Sequence, residues 1–227
     1  MRNPNSAGTK RPPGRSSIPW LGLLILVASL FLSAHLLAGV YSPESLAQTW
    51  YLSRAAGLVS LVLLWLSVML GLLGASGLAR WGFSPQDSTD VHAFAALLAI
   101  YAATFHAWIL LWDSFIPFTL SEILDPFTAN YQPFLVGLGT LGFYFAIGAV
   151  VTTYLRPRLG PRLWRVLHQV SAIGLALGVI HGYLLGPDSN QPGMRAFYLV
   201  VTLSTTLLAV YRMAGGIAKR ARLASGG

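Results

Sequence analysis

The sequence predicts an all-α membrane protein, a six-transmembrane-helix bundle. Three observations predict it. Only 10% of the residues are charged and 55% are hydrophobic, whereas soluble domains carry about a quarter charged residues. Six apolar runs reach the about 20 residues that a helix rising about 1.5 Å per residue needs to cross a bilayer. The basic residues also gather on alternate connections. A spanning helix satisfies its own backbone hydrogen bonds, and the runs lack the period-two alternation of a barrel strand.

The chain opens on MRNPNSAGTKRPPGRSS, residues 1–17. This stretch is polar, basic and rich in Pro, Gly and Ser, and is read as a disordered cytoplasmic tail. The first span, Ile18–Val40, is too long for the apolar core of a signal peptide and precedes no A-x-A site, so it is expected to stay uncleaved. Spans two to six are Tyr51–Leu73, Val91–Trp112, Pro133–Leu155, Leu163–Leu185 and Ala196–Gly215. Ser88, Thr89 or Asp90 is expected to cap span three, and Pro161 with Arg162 to open span five. The membrane domain is then 18–216, with a short basic tail at 217–227.

Most connections are short. The exception, Asp113 to Pro133 (DSFIPFTLSEILDPFTANYQP), mixes aromatic and acidic residues around a short helical candidate, LSEIL. It is read as a packed lid over the outer face or as a connector with interfacial aromatics.

The net charge is +8. Thirteen of the fifteen basic residues fall on one side of the membrane if the spans alternate. They are Arg2, Lys10, Arg11, Arg15, Arg80, Arg156, Arg158, Arg162, Arg165, Arg212, Lys219, Arg220 and Arg222. Arg54 and Arg195 fall on the other side, with Glu44, Asp113, Glu122, Asp125 and Asp188; Asp87 and Asp90 lie with the basic cluster. This is the positive-inside pattern. It places both termini in the cytoplasm of a multi-pass plasma (inner) membrane protein whose solvent partner is lipid. The charge therefore reports topology, and no nucleic-acid partner is expected. With no cysteine, disulfides, iron–sulfur clusters, thiolate zinc sites and C-x-x-C-H haem attachment are excluded.

Four of the five histidines sit inside apolar spans, as two pairs. His92 and His106 lie on span three, His168 and His181 on span five. Ionisable residues within spans are rare and usually face a site or cavity. Both spans run from inside to outside. Fourteen residues then separate the first pair by about 21 Å, and thirteen separate the second by about 20 Å. Two parallel helices can thus present facing imidazoles at two levels. Haem iron takes imidazole as an axial ligand, and two stacked haems would form an electron path. Phase is less regular. Fourteen residues leave His92 and His106 about 40° apart, whereas thirteen leave His168 and His181 about 140° apart on an ideal helix. Tilt, distortion near the glycines or rotated haem planes would each reconcile the two.

The segments VHAFAALLAIYAATFH and LGPRLWRVLHQVSAIGLALGVIH resemble the transmembrane domain of the ferric reductase superfamily. That group includes the NADPH oxidases and the haem-binding membrane subunit of the bacterial methionine sulfoxide reductase system. The approach to span five, with Leu159, Gly160, Trp164, Leu167 and His168, is especially like the bacterial members. The resemblance covers roughly Tyr51 to Gly215. It implies an oxidoreductase holding two non-covalent b-type haems, the inner ligated by His92 and His168 and the outer by His106 and His181. It also implies an acceptor on the outer face. The chain stops soon after YRMAGGIAKRARLASGG, so the flavin- and NADPH-binding domain of the oxidases is not expected in it, and the donor is expected to be a separate reductase, with a flavin, or a membrane quinol. Other readings of the same histidines are a proton- or metal-relaying transporter or channel, and a structural membrane subunit without haem.

Several residues keep two readings. His35 is an interfacial histidine or part of a quinone or accessory haem site. Arg162 and Arg165 are topology anchors or partners of inner haem propionates; Arg54 and Arg195 are snorkelling residues or partners of outer ones. Trp108, Trp112 and Tyr131 are belt aromatics or electron relays. Gly174, Gly178 and Gly182 make a ridge without side chains for a neighbouring helix or a flat macrocycle. GLGTLG, Gly137 to Gly142, matches G-x-G-x-x-G but lacks the βαβ context of a nucleotide site and is rejected as one.

Overall fold

The computed structural model describes residues 46–76, 84–113 and 115–225. The tail 1–17, the predicted first span Ile18–Val40, His35, Glu44 and Arg80 lie outside them. The described chain is helical: α1 (Leu46–Ser76), α2 (Pro85–Ile109), α3 (Leu120–Leu124), α4 (Pro133–Tyr154), α5 (Arg156–Val170), α6 (Ile173–Leu185) and α7 (Pro192–Ser225), with short 3₁₀ turns at Leu110–Trp112 and Pro187–Asn190. Five stretches are long and apolar enough to span a bilayer, with α5 and α6 together forming one of them. These five match predicted spans two to six. The last helix runs on through the basic tail to Ser225.

Helix α2 starts a turn earlier than the sequence reading placed it. Ser84 is its cap, accepting from the Asp87 N–H, and Pro85 opens it. Proline suits the first helical position because the N–H it lacks would have no partner there. Ser88, one of the expected caps, is buried inside the helix.

Helices α1 and α2 form an antiparallel hairpin held in a heptad register. The hydroxyls of Ser53, Ser60 and Ser67 donate to the carbonyls of His106, Ala99 and His92 at 3.0, 2.8 and 3.1 Å. Seven residues are close to two helical turns, so the three serines share one stripe. Each such interhelical bond is worth about 0.6 kcal/mol inside a membrane. Ala95, Ala99 and Ala102 are buried on α2, because small residues let the backbones approach. The second hairpin, α4 with α5 and α6, packs closest where Gly142 meets Gly174: a Cβ on Gly174 would lie 2.9 Å from the Gly142 carbonyl. Helix α7 closes the bundle through Tyr198 and Val201, which pack on Leu61 of α1 and Leu175 of α6. Its large side chains Leu199, Leu203 and Leu207 point outward, as lipid-facing residues do.

Helix α5 carries the basic residues Arg156, Arg158, Arg162 and Arg165 and marks the basic end of the bundle. Within α5, Gly160 takes φ +73. No atom crowds the place of its missing Cβ, so glycine is needed there for backbone conformation and not for space. The helix then restarts at Pro161, as the sequence reading expected.

The opposite end carries the long connection, and that connection is ordered. Thr119 and Glu122 form a capping box that opens α3, the LSEIL helix. Glu122 accepts from Thr119 N at 2.8 Å with one oxygen, and from Asn130 N and Nδ2 at 2.9 and 2.7 Å with the other. These N–H groups hold its carboxyl below the usual glutamate value. Asp113 accepts from the Phe115 and Ile116 N–H groups and from the Thr49 hydroxyl. Phe127, at φ +72, lies against Gly137 and stacks on Phe134. The connection is ordered and packs at this end of the bundle, with Phe115 and Phe127 left exposed.

Candidate functional site

The four predicted histidines meet in two pairs. His92 and His168 lie toward the basic end, with ring centroids 5.9 Å apart and planes at 70°. His106 and His181 lie toward the lid, 6.2 Å apart and at 82°.

Each ring is fixed from the preceding helix of its own hairpin. Nδ1 of His92 bonds to the Ser67 carbonyl, of His106 to the Ser53 carbonyl and of His181 to the Leu135 carbonyl, all at 2.7 Å. The Ala149 carbonyl lies beside the His168 ring. A carbonyl only accepts, so Nδ1 of His92, His106 and His181 must carry the ring proton, leaving Nε2 with its lone pair. Ligand imidazoles are prepared in this way, oriented and made more basic by the hydrogen bond on the other nitrogen.

Four residues after each of these carbonyls comes the residue under the ring. It is Gly57 for His106, Gly71 for His92 and Gly139 for His181. A Cβ there would stand 2.9, 3.3 and 2.7 Å from the nearest ring atom. In the fourth case it is Thr153, whose hydroxyl lies 3.4 Å from His168 Nδ1 and also receives the Trp164 indole N–H. Trp164 stacks on His168 at 5.4 Å, and the Arg156 guanidinium sits 4.4 Å over the indole. Arg165 instead turns its Nε to the Pro161 carbonyl.

The phase difference between the pairs is resolved by the turn between α5 and α6. At Ser171 and Ala172 the helix tightens, with i→i+3 bonds from Ala172 to Gln169, Gly174 to Ser171 and Leu175 to Ala172. A 3₁₀ turn rotates about 120° and rises about 2.0 Å per residue. With about four such residues, thirteen positions advance about 21 Å and rotate to within about 20° of fourteen α-helical ones. Distortion near the glycines, one of three possibilities left open by the sequence, is the one the structure contains.

Around His106 and His181 lies a cavity of about 490 Å³, a size that suits a medium-sized ligand. Gly57, Gly139, Gly142 and Gly178 form part of its wall, and Phe118, Ile123, Leu124 and Tyr131 of the long connection line it too. Gly174 meets the α4 backbone, as the helix-packing reading of the ridge expected, and Gly178 lies along this space. Gly137, Gly139 and Gly142 of GLGTLG are packing and cradle residues on a membrane helix. Arg54 forms an ion pair with Asp188 at the cavity rim and lies over the Tyr51 ring. Arg195 donates to Asn190 Oδ1 at 3.0 Å. Trp108 and Trp112 pack on each other. Among the described residues no group of three or more His, Cys, Asp or Glu gathers around a metal position.

The sequence reading missed Ser53, Ser67, Gly57 and Gly71. Their signal is visible in the sequence: S-x-x-x-G occurs at 53–57 and again at 67–71, fourteen residues apart, the same interval as His92 and His106. Trp164 had been noted only as part of a family pattern. Its stacking on His168 follows from their i, i+4 spacing on one helical stretch, a spacing visible in the sequence.

Residues 56–179, more than half of the chain, match the family described as ferric reductase like transmembrane component. No curated protein and no solved structure matches.

Proposed function

Because the chain belongs to the ferric reductase like transmembrane family, we propose that it is a di-haem b electron-transfer protein, an oxidoreductase subunit of the plasma membrane. It passes electrons between a cytoplasmic or quinol donor at its basic end and an acceptor at the outer, lidded face. His92 and His168 hold the inner haem, and His106 and His181 the outer one.

The observation that carries this reading is the gap between the rings. Two metal–imidazole bonds of about 2 Å and two ring radii of about 1 Å span about 6 Å. The centroid separations are 5.9 and 6.2 Å. Two imidazoles fill only the axial positions of a six-coordinate iron. No third His, Cys, Asp or Glu joins either pair among the described residues, which favours a group that brings its own equatorial ligands over a bare ion. The glycines under the rings and the cavity at the lid end leave space for a flat ligand.

Haem would supply a one-electron iron couple at each level. The chain's own residues do the rest. The carbonyls of Ser67, Ser53 and Leu135 hold the rings of His92, His106 and His181 in one tautomer. The connection packed on Glu122 and Asp113 contributes Phe118, Ile123, Leu124 and Tyr131 to the lining of the outer site. The basic end, by the positive-inside rule, faces the cytoplasm.

A reduced-minus-oxidised absorbance spectrum with a pyridine haemochrome assay on the purified protein tests this. About two extractable haems per chain, with low-spin six-coordinate bands, are expected from four imidazoles and two axial positions per iron. Absence of a Soret band would sink the proposal and leave a transporter or a structural subunit.

A further inference from the structure

We infer that Ser53 and Ser67 are a matched pair of positioning residues, each setting the donor strength of one α2 histidine and hence the reduction potential of one level independently of the other. The inference rests on the di-haem reading above. It gives the hydroxyls of Ser53 and Ser67 a role beyond that of their carbonyls.

The geometry is the same twice. Ser53 Oγ lies 3.0 Å from His106 Nδ1 and donates its proton to the His106 carbonyl at 3.0 Å. Ser67 Oγ lies 3.0 Å from His92 Nδ1 and donates to the His92 carbonyl at 3.1 Å. With its own proton committed to that carbonyl, each hydroxyl turns a lone pair toward Nδ1–H. The ring proton is thus shared between two acceptors of one residue, the serine carbonyl at 2.7 Å and the serine hydroxyl. Both serines are buried, at 1% and 2% exposure, where such bonds are strong because no water competes.

The partner histidines lack this arrangement. His181 bonds to the Leu135 carbonyl, and leucine has no hydroxyl to add. His168 has the Thr153 hydroxyl at 3.4 Å, and that oxygen already accepts from Trp164. Each level therefore pairs one imidazole with two acceptors on its N–H and one without such a serine. A second acceptor pulls the proton away from the ring and makes Nε2 a stronger donor to a metal. A stronger donor stabilises ferric over ferrous iron and lowers the potential.

The helix carries its own control. Ser60 sits midway between the two serines and makes the same kind of bond, to the Ala99 carbonyl at 2.8 Å, with no imidazole beside it. If serines on this stripe act only as interhelical ties, all three are equivalent.

The test is a redox titration of the full-length, haem-loaded protein with Ser53→Ala, Ser67→Ala and Ser60→Ala, each at unchanged haem content. Ser53→Ala is expected to raise the potential of the outer haem alone, and Ser67→Ala that of the inner haem alone. The expected size is up to about tenfold in the reduction equilibrium, or about 59 mV for a one-electron couple. Ser60→Ala should move neither. Ser53→Cys and Ser67→Cys keep the shape with a weaker acceptor and should fall between serine and alanine. They serve as the readout if an alanine variant fails to assemble. Equal shifts in all three alanine variants, or no shift in any with both haems present, would overturn the inference and leave the di-haem reading standing. A protein without haem would instead remove that reading itself.

Discussion

The two hairpins solve the same problem with different helices. In the first, α2 is continuous, its histidines are fourteen residues apart, and α1 supplies a Ser and a Gly at each level. In the second, the chain is broken between α5 and α6, its histidines are thirteen apart, and the repeat is degraded: Leu135 and Ala149 replace the serines, and Thr153 replaces one glycine. Facing rings survive because only backbone carbonyls and a helical pitch are needed to aim them. The 3₁₀ turn at Ser171 and Ala172 supplies the pitch. Aiming is thus a backbone property here, and fine adjustment is a side-chain one.

The levels also differ from each other. The lid-end pair sits in a glycine-walled cavity under an ordered connection. The basic-end pair is buttressed from one side by the Arg156–Trp164–His168 stack. On the proposed di-haem reading, replacing one of the four histidines breaks this comparison most completely. His106→Ala and His181→Ala should each abolish the outer low-spin signal and reduce haem from about two to about one per chain, while the inner signal persists about 20 Å away along the helix. His92→Ala and His168→Ala should form the opposite matched pair. Pyridine haemochrome and electron paramagnetic resonance spectra read the outcome. If His106→Ala instead behaved like His92→Ala, the two levels would not be independent.

The cradles should follow in order of closeness. Gly139→Ala puts a methyl 2.7 Å from His181 Nδ1, Gly57→Ala 2.9 Å from His106 Nδ1, and Gly71→Ala 3.3 Å from His92 Cε1. Forced overpacking costs about 1–3 kcal/mol. Gly139→Ala should lower haem retention or thermal stability most, and Gly71→Ala least. Equal effects would mean that the rings give way freely and that the cradles do not hold them.

A smaller effect should separate the basic end. Trp164→Leu removes the ring stacked on His168 and the platform beneath Arg156. A stacked aromatic pair is worth about 0.5–1.5 kcal/mol beyond its burial. The inner signal should broaden or shift several-fold in its reduction equilibrium, with the outer signal unchanged. An outer shift of equal size would show that the substitution disturbs the whole bundle.

The smallest expected effect concerns the lid. The Glu122 carboxyl is held below its ordinary value of 4.5 by the N–H groups of Thr119 and Asn130. Its folded value is depressed, so its contribution is fully present above the ordinary value and is lost as pH falls through the depressed one. Amide exchange at Thr119 and Asn130 should therefore accelerate, relative to the neighbouring helices, only on acidification below about that range. Glu122→Gln should abolish the dependence. The same acid acceleration in the Gln variant would assign it to another group.

Composition and periodicity by themselves determined that this chain is helical and crosses a membrane, and where five of the described spans lie. Apolar length is a local property that the bilayer reads directly. The four histidines were legible for a similar reason: a titratable group in an apolar span has few purposes, and equal spacing on two spans limits them further. The serine–glycine repeat on α1 was present in the sequence but had no meaning until the antiparallel register set Ser53 against His106 and Ser67 against His92. The start of α2 at Ser84 was legible in Ser-Pro, but Ser88, Thr89 and Asp90 are residues of similar type nearer the apolar run. Tertiary structure alone decided three matters. The turn at Ser171 and Ala172 made thirteen residues equivalent to fourteen, which no regular helix would allow. Glu122 and Asp113 turned from surface acids into the hydrogen-bond centres of a lid, and Arg54 found Asp188 across more than a hundred residues of chain. Each depends on which backbones come within a few ångströms of one another, and helix packing sets that distance through residues far apart in sequence.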